Sequence, residues 1–206
     1  MSKSNFLALT IIIAVYGSSH GDLSLRQMVS GQMESIYFPV KLKTFGARVY
    51  FKELTAGEHW IDGYRVSTMF LNHPGQTLGF RLWCGDKSVA FITDNELVPF
   101  DIQKEQHTFF YEKLYAFLDG VDILIHDTCY SDKEYKSKVG WGYPPLSEVC
   151  KLASRVKAKK FFLFHYDLDT TDDMVDEMLK FSQDYFQKNG NTVDCQAGQE
   201  GLELFL

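Results

Sequence analysis

Four short apolar runs in this chain each end in a side chain able to bind a metal, and each gives way at once to a turn. They are Phe70-Leu-Asn-His73 before Pro74-Gly75, Phe91-Ile-Thr-Asp94, Ile123-Leu-Ile-His126-Asp127, and Phe161-Phe-Leu-Phe-His165. In layered α/β folds, functional side chains gather where strands end and loops begin. Imidazole nitrogen and carboxylate oxygen suit Zn, Mn or Fe. Taken singly, a histidine at a strand end is ordinarily a hydrogen-bonded structural group, and an aspartate there is ordinarily a turn former or helix cap. Four such ends in 206 residues make a metal site a working hypothesis.

The elements around these runs set the fold class. The first half reads as strands: Leu9–Tyr16, then a short helix over Leu23–Met33, then Arg48–Glu53, Trp60–Phe70 and Leu78–Cys84. Gly85-Asp86-Lys87 is a turn, and Val89–Thr93 returns as a hairpin partner. The second half alternates. Helices are expected over Glu105–Leu118, with Phe109, Leu114, Phe117 and Leu118 on one side, over Leu146–Val156, and over Thr171–Lys188 with Thr171 as N-cap. Between them lie buried strands at Asp122–His126 and Phe161–His165, and Gly201–Leu206 is expected to close the sheet. This is the pattern of an α/β layered fold, read as one domain over residues 1–206.

Composition narrows the partners. A net charge of −6 argues against broad binding to a phosphate backbone, which needs clustered Lys and Arg, but leaves room for a small phosphorylated substrate. Cys84, Cys129, Cys150 and Cys195 show no Cys-x-x-Cys pairing, so neither a zinc-finger nor a disulfide framework is expected. A reducing, cytoplasmic setting is the simpler reading. The run Phe6–Tyr16 after Lys3 is too short for a membrane span. Its β-branched content favours a buried strand, and the alternative is a signal peptide and export.

The words around the metal-competent residues resemble the metallo-β-lactamase superfamily, in the branch of ribonuclease Z and related phosphodiesterases. The matching pieces run in order: Leu71-Asn-His-Pro-Gly75, Leu78-Gly-Phe-Arg81, Phe91-Ile-Thr-Asp-Asn-Glu96, Asp122-Ile-Leu-Ile-His-Asp-Thr-Cys-Tyr130, Gly140-Trp-Gly142, Leu163-Phe-His-Tyr-Asp167 and Glu200-Gly-Leu-Glu-Leu204. The resemblance implies an αββα sandwich and a two-metal site, Zn or alternatively Mn or Fe. It implies His73 on one metal, Asp94 bridging both and His165 on the second. It also implies a catalytic group at Asp127, with its neighbour His126 and with Tyr143 where relatives carry a histidine. The implied activity is hydrolysis of a small phosphodiester or nucleotide-like substrate.

Two departures qualify that expectation. The superfamily's His-x-His-x-Asp-His is not in this sequence, and His20 and His59 stand alone. Three metal-site ligands are then left for two metals. The expectation is an N-terminally truncated form of the fold with impaired activity, or a non-catalytic remnant that keeps the fold and binds a partner. An uncovered core would invite a homodimer or a missing N-terminal fragment. Tyr143 in place of histidine is a poorer acid near neutrality, since a phenol titrates near 10.

Overall fold

In the computed structural model, residues 11–99 and 105–206 are described, the side chains of 105 and 106 excepted. The chain divides into two compact units, Met1–Thr55 and Ala56–Leu206.

In the first unit, β1 (Ile12–Gly17) pairs in parallel with β2 (Arg48–Glu53), Ile12 opposite Arg48 and Gly17 opposite Glu53. The expected Leu9–Tyr16 strand is thus present from Ile12, but it is not the buried strand expected, since Ile12 and Ile13 are exposed; Leu9 and Thr10 lie outside the described residues. Between the strands runs α1 (Leu25–Gln32). Ser24 caps it: its hydroxyl accepts from the Gln27 backbone N–H, and the Gln27 side chain accepts from the Ser24 backbone N–H. A 3₁₀ turn at Leu42–Thr44 precedes β2.

The second unit is a seven-stranded sheet with helices on one face. Its strands are β3 (Gly57–Ile61), β4 (Tyr64–Phe70), β5 (Leu78–Cys84), β6 (Lys87–Ile92), β7 (Ile123–Asp127), β8 (Lys160–Phe164) and β9 (Asp194–Ala197), hydrogen-bonded in that order. The pairs β3–β4, β4–β5 and β5–β6 are antiparallel; β6–β7, β7–β8 and β8–β9 are parallel. The helices are α2 (Glu105–Leu118), α3 (Asp132–Tyr135), α4 (Leu146–Arg155) and α5 (Asp172–Lys188). Ala90, Ile92, Leu124, Phe161, Leu163 and Cys195 from the strands pack against Leu114, Leu118, Val149, Leu152 and Phe186 from the helices. The helical connections follow from the parallel strands, which cannot be joined by tight turns. Among the described residues, no helix is long and apolar enough to cross a membrane.

Three expectations are corrected. Trp60–Phe70 is not one strand but the last two residues of β3 and the whole of β4, because Asp62 and Gly63 both take left-handed conformations (φ 49° and 85°) in a two-residue hairpin turn. Asp-Gly between alternating residues is the signature of such a turn. Gly201–Leu206 is not the closing strand. That place against β8 belongs to Asp194–Ala197, whose single buried residue, Cys195, leaves almost no hydrophobic pattern to read. In α2, Phe109 is exposed, and the buried face is Tyr111, Leu114 and Leu118, spaced three and four residues apart.

Candidate metal centre

Strand direction explains why residues far apart in sequence meet. β6, β7 and β8 run parallel, so their C-terminal ends share one edge of the sheet. β4 is antiparallel to β5, and β5 to β6, so β4 points the same way as β6. His73 follows β4, Asp94 follows β6, Asp127 ends β7 with Cys129 two residues beyond it, and His165 follows β8. All lie in the second unit.

Tyr143 is the hub of the expected ligands. Its ring meets the His73 ring edge-on at 5.5 Å between centroids and the His165 ring at 5.6 Å. Its phenol is hydrogen-bonded to the Asp94 carboxylate. Burial first, then the charge of Asp94 and this hydrogen bond, push the phenol up to about 12. His73, Asp94 and His165 are therefore brought together around one aromatic ring. Asp94 and His165 both hold left-handed backbones, φ 59° and 53°.

Loops on either side fix these groups. The Asn72 backbone N–H donates to Asn95 Oδ1 (3.1 Å), the Asn72 amide to the Glu96 carbonyl (2.8 Å), and the Glu96 N–H to the Asn72 carbonyl (2.7 Å). The buried Glu96 carboxylate accepts from the N–H groups of Gly140 (2.8 Å) and Gly142 (3.1 Å) and from the Tyr135 hydroxyl (2.7 Å). Gly142 in turn accepts from His73 Nδ1 through its carbonyl at 3.1 Å. A carbonyl only accepts, so the proton sits on Nδ1 and the lone pair of His73 Nε2 is left for a cation.

His126 and Asp127 are neighbours that face opposite ways. The His126 ring is fully buried. Asn95 Nδ2 approaches its Nε2 (3.3 Å), and its Nδ1 donates to the Asp127 carbonyl (3.0 Å). Both ring nitrogens are thus engaged within the protein. Asp127 is buried too. Its Oδ2 accepts from the Asn95 N–H at 3.1 Å. Its Oδ1 lies 2.6 Å from His126 Nδ1 but outside hydrogen-bond geometry, and no hydrogen bond reaches it.

Cys129 joins the site without having been singled out in the sequence. One donor atom each from Asp127, Cys129 and His165 lie within 4.8 Å of one another. The Cys129 thiol donates to the His165 carbonyl at 2.8 Å, and burial, then the charges of Asp127, Asp167 and Asp94, push it well above the ordinary thiol range. The signal was available: residues two apart at the end of a strand share a face, and Asp127-Thr-Cys129 is such a pair.

The fold has counterparts. A beta-lactamase superfamily domain model matches residues 40–166, more than half of the chain and every ligand candidate above. The chain belongs to that superfamily, with the metallo-β-lactamase fold. Among solved structures it is similar to the metallo-beta-lactamase fold protein YhfI from Bacillus subtilis (12% identity, TM-score 0.63, covering 93% of this chain and 64% of that one). It is similar to a diphosphatase from the PhnP family (16%, TM-score 0.57, 96% and 73%) and to the short form of human tRNase Z, ELAC1 (13%, TM-score 0.53, 94% and 68%). The chain thus spans a little under two thirds of YhfI's length. No curated protein sequence matches it significantly.

Proposed function

We propose that this chain is a metal-dependent hydrolase of small phosphodiesters whose activity is weak unless further ligands are supplied. The observation that carries the reading is the convergence of His73, Asp94 and His165 on Tyr143 at one edge of the sheet. The residues fit a divalent cation. His73 presents a free Nε2, and Asp127 Oδ1 is a buried carboxylate oxygen without a hydrogen bond, a group that costs stability unless a cation satisfies it. When bound, divalent ions supply Lewis acidity at the phosphoryl group and lower the pKa of water.

The protein's own part is positioning and proton holding. His73 is oriented by Gly142, and the loop carrying Gly142 is held by Glu96. Tyr143 keeps its proton at neutral pH and can direct it toward a leaving oxygen, though its high pKa makes it a slow donor. A His-x-His-x-Asp-His segment is not among the 206 residues, so full activity requires its ligands from elsewhere. The fold shared with a diphosphatase and a tRNase Z supports a phosphate-ester substrate, and the net charge of −6 favours a small one.

The test is hydrolysis of bis(4-nitrophenyl) phosphate by the purified chain with Zn, Mn or Fe(II). Slow, chelator-sensitive turnover that disappears in Asp94→Asn is expected. No turnover with any of the three metals rejects catalysis by this chain and favours the fold-retaining binding protein instead.

A further inference from the structure

We infer that Asp127, Cys129 and His165 form a thiolate-containing site for one zinc-class ion, distinct in its donor set from the His73, Asp94 and His165 ligands expected from the family. The inference stands on this geometry whether or not the chain hydrolyses phosphodiesters.

The backbone places the three donors. β7 and β8 pair through Asp127 opposite Phe164, and the Thr128 N–H donates to the Phe164 carbonyl at 2.8 Å, carrying the ladder one step further. Asp127 and Cys129 flank Thr128 on the same side of the extended chain. His165 follows Phe164, where its left-handed backbone (φ 53°) turns the chain out of the strand. The resulting donor atoms lie within 4.8 Å of one another. Tetrahedral coordination with metal–ligand bonds of about 2.0–2.3 Å needs separations of roughly 3.5 Å. Closing the site therefore takes movements on the order of 1 Å, within the reach of side-chain rotation.

Two further features point to a cation. Asp127 Oδ1 is fully buried and receives no hydrogen bond, which is the state a metal ligand shows when its ion is absent. His165 is the least buried of the three donors, so ligand or water can reach the ion from that side. Three protein donors with one open position is the coordination pattern of catalytic rather than structural zinc. A sulfur donor also selects among metals. Thiolate favours zinc, cobalt and cadmium over manganese or magnesium. Binding exchanges the thiol proton for the metal: the S–H bond to the His165 carbonyl breaks, the S–metal bond forms, and the proton leaves to solvent.

Cobalt(II) titration of the full chain tests the site. A near-ultraviolet thiolate-to-cobalt charge-transfer band is expected, with the visible intensities of four-coordinate cobalt. Cys129→Ser should remove the band, Asp127→Asn should weaken cobalt binding about 10-fold or more, and Cys84→Ser and His73→Ala should leave the band in place. Cobalt binding without the band, or a band that survives Cys129→Ser, overturns the inference. Should Cys129→Ser fail to fold, the cadmium-113 resonance of the unsubstituted protein decides. A shift in the one-thiolate range supports the site, and a shift in the nitrogen–oxygen range rejects it. Hydrolysis without the band sinks this site alone, and the band without hydrolysis sinks only the catalytic reading.

Discussion

Gly142 and Gly140 form a controlled pair for asking how tightly the His73 loop is built. Both have positive φ, 91° and 84°, and both donate their N–H to Glu96. They differ in what surrounds the α-carbon. A methyl group on Gly142 would overlap His73 Nδ1 and lie 2.7 Å from Pro74 Cδ, whereas one on Gly140 would meet nothing within 4 Å. Gly140→Ala should then cost only the backbone strain of an L-residue in that region, about 1–2 kcal/mol. Gly142→Ala adds overpacking of about 1–3 kcal/mol. It also loses the His73–Gly142 hydrogen bond, worth about 1 kcal/mol. The expected difference between the two variants is roughly 2–4 kcal/mol. With a urea slope of about 2 kcal/mol/M, that is a gap of about 1–2 M in unfolding midpoint. Equal midpoints for the two variants would refute the close-packed loop described here.

Three other outcomes are expected. The Tyr143 phenol titrates higher in the folded protein (about 12) than unfolded (ordinarily about 10), so its contribution to stability is fully present below about pH 10 and is lost as pH rises toward about 12. The stability gap between the wild type and Tyr143→Phe, followed by urea midpoints, should be flat below about pH 10 and close above it. Glu96→Gln leaves one acceptor oxygen for three donors, Gly140 N–H, Gly142 N–H and the Tyr135 hydroxyl, and should lower stability by about 2–3 kcal/mol in the same assay. Asn95→Asp replaces the amide that faces His126 Nε2 with an acceptor, so the folded variant must hold an extra proton on the new carboxylate or on His126. Its deficit should be small near pH 4 and widen to about 1–3 kcal/mol by pH 8; a deficit independent of pH would contradict the assigned hydrogen-bond directions.

Much of this arrangement is legible in the sequence, for a physical reason. A strand buried on both faces must be apolar along its length, so the first polar residue after it marks the strand end. His165 is legible that way, Asp94 follows the first polar residue, Thr93, after β6, and His73 lies three residues beyond β4. What the pattern could not carry was direction. Convergence depends on β4, β6, β7 and β8 pointing the same way, which is set by long-range pairing rather than by local sequence. The same limit separated His126 from Asp127. They were grouped as one unit, yet alternation along β7 sends His126 to Asn95 and Asp127 toward Cys129 and His165. The terminal run Gly201–Leu206 failed for the opposite reason. Its alternation of Leu202, Leu204 and Leu206 is a good strand pattern, but the edge it would need is already occupied by Asp194–Ala197.

Backbone strain falls where the chemistry is expected. Among the described residues other than glycine, four have positive φ: Asp62 in a hairpin turn, Lys157 just beyond α4, and the ligand candidates Asp94 and His165. Aspartate tolerates this conformation, but histidine does so less readily, at a cost of about 1–2 kcal/mol. Such a conformation persists only where the neighbours over-determine it. At Asp94 they do: Asn95 and Glu96, the next two residues, are tied to Asn72, Asp127, Tyr135, Gly140 and Gly142. At His165 the preceding carbonyl accepts from Thr128, and its own carbonyl accepts from Cys129. The second of these bonds is the one that a thiolate-bound metal would break. Metal binding at Cys129 should therefore satisfy the Asp127 oxygen that receives no hydrogen bond while removing one restraint on His165, leaving the Phe164–Thr128 bond and the metal itself to hold that turn.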